Sequence, residues 1–167
     1  MTSPTPGAPS GSSTPGAPVA SQLPIETVSA LGAALNAENA ALWAYGPIAA
    51  KLVGKDAIDA LDSILSGHLQ RRDSTMALIQ AVGGKPAPPA PAYQLPAIKD
   101  AATARKAAYL VEDSCIKAWR AVVGLTDIAD LRGLAVAGMA DSAVWTTTIK
   151  LAVNDPKPTD ALPGIDQ

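Results

Sequence analysis

The chain has 167 residues, enough for one domain and few for two, and 48% of them are hydrophobic, so a buried core is affordable. Only 4% are aromatic and Phe is absent, so that core must be built from Ala, Leu, Val and Ile, small side chains that suit close helix-on-helix packing. A formal net charge of −2 argues against a nucleic-acid partner, and a single cysteine, Cys115, excludes an intrachain disulfide and any cysteine-based zinc cluster.

Residues 1–22 are dominated by Ser, Thr, Pro, Gly and Ala and cannot bury enough apolar area to offset the entropy of ordering, so they read as a disordered tail before a domain at 23–167. The first twenty residues have neither a basic start nor an apolar stretch, which is not a signal peptide, and no run of 18 apolar residues could span a membrane. A cytoplasmic protein is expected.

Four helices follow. The first is predicted from about Ile25 to Val53, with Val28, Leu31, Leu35, Leu42, Tyr45, Ala49 and Leu52 on a three-four stripe. Pro47 lacks the amide that would bond the Trp43 carbonyl, so a kink is expected there. The second runs from an Asp56 cap to Val82, carries Ile58, Leu61, Leu65, His68, Arg72, Thr75, Ile79 and Val82, and stops at Gly83-Gly84. Residues 83–99 are rich in proline and should be extended at ~3.1 Å per residue, a reach of ~50 Å against ~40 Å for a helix of this length. Such a connection can run the length of the helices and deliver the third parallel to the second. The third helix starts at an Asp100 cap, ends at Gly124 and carries Tyr109, Glu112, Ile116, Trp119 and Val123. The fourth, capped by Thr126 or Asp127, carries Ile128, Leu131, Leu134, Gly138, Asp141, Trp145, Thr148 and Ala152 and stops at Asn154-Asp155-Pro156.

One ionisable residue interrupts each stripe: Glu38, His68, Glu112 and Asp141, with Arg72 one turn beyond His68. Buried unpaired charges cost several kcal/mol, so these groups should meet one another or a neutralising partner. Glu38 to His68 spans 30 residues and Glu112 to Asp141 spans 29, which makes the halves look like two copies of one hairpin. Each Glu is followed seven residues later on the same face by an aromatic, Tyr45 and Trp119.

This pattern resembles the ferritin-like superfamily, in which helices one and three each give a Glu and helices two and four each give Glu-x-x-His to hold two irons. More narrowly, residues 25–165 resemble an actinobacterial ferritin-like domain family of unknown function, through "LNAENAALWAYG", "HLQRRDSTMALIQAVGGKP", the "PAYQLP" segment and the closing "LPG". The resemblance implies an all-α, ferritin-like four-helix bundle with one long Pro-rich crossover between helices two and three. It matches Glu38, His68 and Glu112 to family ligands and puts Leu65 and Gly138 where bridging carboxylates belong, and Asp141 where a His belongs. Ferroxidase chemistry is therefore not expected.

Two readings of the site follow. In one, Glu38, His68, Glu112 and Asp141 hold a single Fe, Mn or Zn ion. In the other, which we favour, no cofactor is held. Arg72 replaces the cation in a buried ion network, and the protein is a non-catalytic structural or interaction module with a degenerate metal site. Cys115 reads as a small packing residue. Tyr45, Trp119 and Trp145 read as core. Ala-rich helix faces and Trp43 make a homodimer plausible.

Overall fold

The computed structural model describes residues 23–52, 55–151, 156–159 and 164–165. Among these the chain is all-helical, with α1 at Ile25–Ala49, α2 at Lys55–Ala81, α3 at Ala101–Leu125 and α4 at Ala129–Leu151, and no strand. The expected tail at 1–22 and the stop at Asn154-Asp155 lie outside the described residues.

Local chemistry accounts for most of the boundaries. α1 ends at Ala49, four residues earlier than expected. Pro47 leaves the Trp43 carbonyl without its helical partner, and the chain then tightens, with Lys51 N–H bonding Ile48 O at 3.0 Å and Leu52 N–H bonding Ala49 O at 3.2 Å. α2 closes as predicted. Gly83 takes φ +78°, a conformation that L side chains rarely adopt, and Gly84 N–H reaches back to Ile79 O at 2.8 Å. Asp100 caps α3 through a reciprocal box. Its carboxylate accepts from Thr103 N–H at 2.8 Å, while Asp100 N–H donates to Thr103 Oγ1 at 3.0 Å. Thr126 Oγ1 accepts from Ile128 N–H at 3.2 Å just ahead of α4.

α3 packs against both α1 and α4, α1 packs also against α2, and α2 touches α4 only lightly. The core divides into two apolar clusters. One joins Ala41, Tyr45 and Ile48 to Leu61, Ile64, Ala104 and Ala108, with Leu95 and Ile98 of the Pro-rich connection against it. The other joins Leu31 and Leu35 to Ile79, Trp119, Val122, Leu131 and Ala135. The C-terminal half of α1 thus meets the N-terminal half of α3, so these two helices are antiparallel. Between the clusters lies a polar layer.

Two stripes are rotated from the sequence reading. On α2 the buried positions are Leu61, Ile64, His68, Arg71, Thr75 and Ile79, so Ile64 and Arg71 take the places expected of Leu65 and Arg72. On α4 they are Leu131, Ala135, Gly138, Ser142 and Thr146, so Ser142 faces inward where Asp141 was expected. Both alternatives obey three-four spacing, and adjacent residues of like character (Ile64 and Leu65, Arg71 and Arg72) give the sequence nothing to choose between them.

Candidate functional site

The polar layer is a buried ion network built from three helices. Glu38 of α1, His68 of α2 and Glu112 of α3 are all fully buried. His68 Nδ1 lies 2.7 Å from Glu38 Oε2, and its Nε2 lies 3.2 Å from Glu112 Oε1. Arg71, 5% exposed, donates Nε to Glu38 Oε1 at 2.8 Å. Its Nη1 reaches Asp141 Oδ2 at 3.1 Å.

The two aromatics cross over. Tyr45, seven residues after Glu38, donates its hydroxyl to Glu112, and Trp119, seven residues after Glu112, donates Nε1 to Glu38 Oε1 at 2.6 Å. The antiparallel course of α1 and α3 explains the exchange, since the residue one heptad beyond each Glu arrives opposite the other Glu. Trp145 of α4 closes the layer, with its ring edge-on to His68 at 5.0 Å and beneath the Arg71 guanidinium at 4.7 Å.

Arg71 Nη2 also lies 2.9 Å from His68 Nδ1, so the guanidinium and the Glu38 carboxylate compete for one ring nitrogen. A bare lone pair facing a carboxylate oxygen at 2.7 Å would be repulsive, so Nδ1 carries a proton and donates to Glu38. Nε2 faces a carboxylate too, and an imidazolium satisfies both. Burial opposes the charged ring, but hydrogen bonds to Glu112 and Glu38 and their negative charges outweigh it and hold the His68 pKa above its ordinary 6.5. For Glu38 burial pushes the pKa up, yet the His68 hydrogen bond and the Arg71 charge prevail and hold it below 4.5. Burial and the Glu112 charge push the Tyr45 phenol well above its usual range, so it stays a donor.

The sequence-predicted residues separate at this point. Glu38, His68 and Glu112 meet as expected. Asp141 stands at the rim with its side chain 55% exposed and, among the described residues, meets the network at Arg71. Arg72 is not the replacement cation. It points outward to Asp73 at 2.7 Å, and Arg71 holds the interior position because it shares the inward face of α2 with His68, three residues earlier. Sequence reasoning also missed the cross-pairing of Tyr45 and Trp119, although their seven-residue offsets carried the signal. Cys115 is buried with Sγ 3.7 Å from Ala37 O, and burial, then the neighbouring Glu38 and Glu112 charges, push its thiol well above the usual range.

Two glycines make room for the site. A Cβ on Gly138 would sit 2.9 Å from Trp119 Cδ1 and Nε1, and one on Gly67 would sit 2.4 Å from Trp145 Cη2. Each indole therefore lies directly on a neighbouring helix backbone.

A family model matches residues 30–167, the polar layer included. The chain belongs to the family described as Domain of unknown function (DUF4439). It is also similar in structure to a conserved hypothetical protein, rv2844, from Mycobacterium tuberculosis, with a TM-score of 0.74 and 31% sequence identity over 83% of this chain and 98% of that one. No curated protein matches the chain. No helix among the described residues is long and apolar enough to cross a membrane.

Proposed function

We propose that the protein is a ferritin-like four-helix bundle serving as a non-catalytic structural or interaction module, with an internal ion network where related folds hold metal. The observation that carries this is the Arg71 guanidinium, 5% exposed and donating to Glu38 at 2.8 Å. A fixed cation there balances the carboxylates and repels a metal ion.

The bundle topology is supported by the neighbour relations, in which α1 borders α2 and α3, and α4 borders α3 and, lightly, α2. α2 ends beside the Ile79 cluster, whereas α3 begins beside the Ala104 cluster, and Leu95 and Ile98 pack on the latter. A connection between those points crosses the bundle lengthwise, as in ferritin-like folds. The Mycobacterium tuberculosis neighbour agrees with an actinobacterial family. A cytoplasmic location belongs to this reading, with the free, buried Cys115 compatible with a reducing compartment.

A ferritin-type di-iron centre does not fit these residues. Leu65 and Gly138 stand where bridging carboxylates belong, and the Trp119 indole occupies the space a side chain at 138 would need. A mononuclear site is the second reading. Donor atoms of Glu38, His68 and Cys115 lie within 4.8 Å of one another, and Glu112 Oε2 is buried without a hydrogen-bond partner. Elemental analysis of the purified protein, with calorimetry before and after chelation, separates the two. The ion-network reading expects substoichiometric Fe, Mn and Zn and an unchanged melting temperature, since a ligand held by the folded state would raise it by mass action. Stoichiometric metal that disappears in both Glu38→Ala and Glu112→Ala would replace it with the mononuclear reading.

A further inference from the structure

Three buried side-chain oxygens have no hydrogen-bond partner among the described residues: Glu112 Oε2, Ser142 Oγ and Thr146 Oγ1. Glu112 and Ser142 are fully buried and Thr146 is 5% exposed. Buried polar atoms in folded proteins are bonded to protein or to ordered water, because desolvation without a bond is uncompensated.

The three oxygens belong to one layer of the molecule. Trp119 of α3 lies on Gly138 of α4, and Tyr109 lies beside Lys150, so the two helices run antiparallel. Glu112, seven residues before Trp119, is therefore level with the turn seven residues after Gly138, which carries Trp145 and Thr146, with Ser142 one turn away. The Trp145 ring agrees with this level, since it packs on His68, whose Nε2 meets Glu112. Glu112 Oε1 is taken by Tyr45 of α1 and His68 of α2. Oε2 remains, and besides α1 the helix that α3 packs against is α4.

The two hydroxyls carry a second sign. Thr75, Ser114, Thr147 and Thr148 each donate to the carbonyl four residues back, the usual outlet for a hydroxyl on a helix. Ser142 and Thr146 do not, although they share α4 with Thr147 and Thr148. Their buried positions continue from Gly138 at four-residue steps, and at Gly138 the Trp119 indole fills the space. None of the three oxygens bonds either of the others, so they stand beyond direct hydrogen-bond reach.

We propose that the seam between α3 and α4 is a hydration site, in which one ordered water bridges Glu112 Oε2 to the Ser142 and Thr146 hydroxyls. Water has the chemistry the three atoms require. It donates to the carboxylate oxygen, and each hydroxyl can give or accept the remaining bonds, three being the usual number for a buried water. A groove of about 280 Å³ between α3 and α4, bordered by Asp113, Ile116 and Thr159 as well as Thr146, sets room for several waters against the same residue. The bridge ties α4 to the buried network from inside, as the Arg71 bond to Asp141 ties it at the rim.

A crystal structure of the full chain, at a resolution that shows ordered water and with anomalous data above the Mn, Fe and Zn edges, tests the proposal. The expected result is one peak without anomalous signal, ~2.5–3.2 Å from Glu112 Oε2 and from both hydroxyls. No peak, a peak that leaves any of the three oxygens unbonded, or a direct bond from a hydroxyl to Oε2 would overturn it and leave the ion-network reading intact. An anomalous peak at the site would overturn both. Thermal unfolding gives an answer without crystals. Thr146→Val, which keeps the volume, and Ser142→Ala, which gains helix propensity, should each still lower the melting temperature by about 2–4 °C, because each strips the water of a partner. An unchanged or raised melting temperature in either variant would mean that its hydroxyl has no bond to lose, and the proposal would fail.

Discussion

Arg71 and Arg72 are adjacent, chemically identical and separated in energetic consequence by 100° of helix rotation. Arg71 stands between Glu38, His68 and the Trp145 ring, so its removal leaves Glu38 Oε1 without its guanidinium partner, with the His68 ring on Oε2 alone, and Asp141 without its contact. Arg71→Ala should cost ~3–5 kcal/mol in urea denaturation, the usual penalty for breaking one side of a buried ion pair. Arg72→Ala removes only an exposed pair with its neighbour Asp73 and should change stability by less than ~0.5 kcal/mol. Equal effects from the two variants would contradict the assignment of the interior cation to Arg71.

At the scale of the helix, the polar layer depends on how closely α3 and α4 approach. Trp119 is fully buried and anchored by its Nε1 to Glu38, so its ring cannot retreat from Gly138. Gly138→Ala gains helix propensity yet forces this contact, and a net loss of ~1–3 kcal/mol is expected from thermal unfolding. The same substitution at Gly67 meets the Trp145 ring, which packs against His68 and beneath Arg71, so it too should be destabilising. A Gly138→Ala variant as stable as the wild type would mean that Trp119 is not held in this position.

For the whole molecule, the network ties stability to pH in two opposite senses. The folded pKa of His68 is raised, so its contribution is complete below 6.5 and is lost as pH climbs through the higher folded value. The folded pKa of Glu38 is lowered, so its contribution is complete above 4.5 and is lost as pH falls through the lower folded value. Stability should therefore peak between these limits, in mildly acidic solution, and decline toward alkaline pH. Melting temperatures measured from pH 4 to 9 check this, with His68→Gln expected to flatten the alkaline limb. An alkaline limb unchanged by His68→Gln would remove His68 from the account.

Most of the secondary structure was legible in the sequence because it is decided locally. The Asp100 and Thr103 box, the Gly83-Gly84 stop and the proline run at 83–99 act through bonds between near neighbours, and the helices begin and end close to where those signals fall. The meeting of Glu38, His68 and Glu112 was legible too, because each interrupts an apolar stripe and a buried charge needs company. What the sequence could not decide was rotation about the helix axis. Both Arg71 and Arg72, and both Asp141 and Ser142, obey three-four spacing, and the choice is made by what the neighbouring helices present. Tertiary packing alone turned Arg71 and Ser142 inward, left Asp141 at the rim, and crossed Tyr45 and Trp119 to opposite carboxylates. Interior charge pairing is a long-range energy, set by which side chains arrive together once the helices have docked, and a single strand of sequence carries only the local terms.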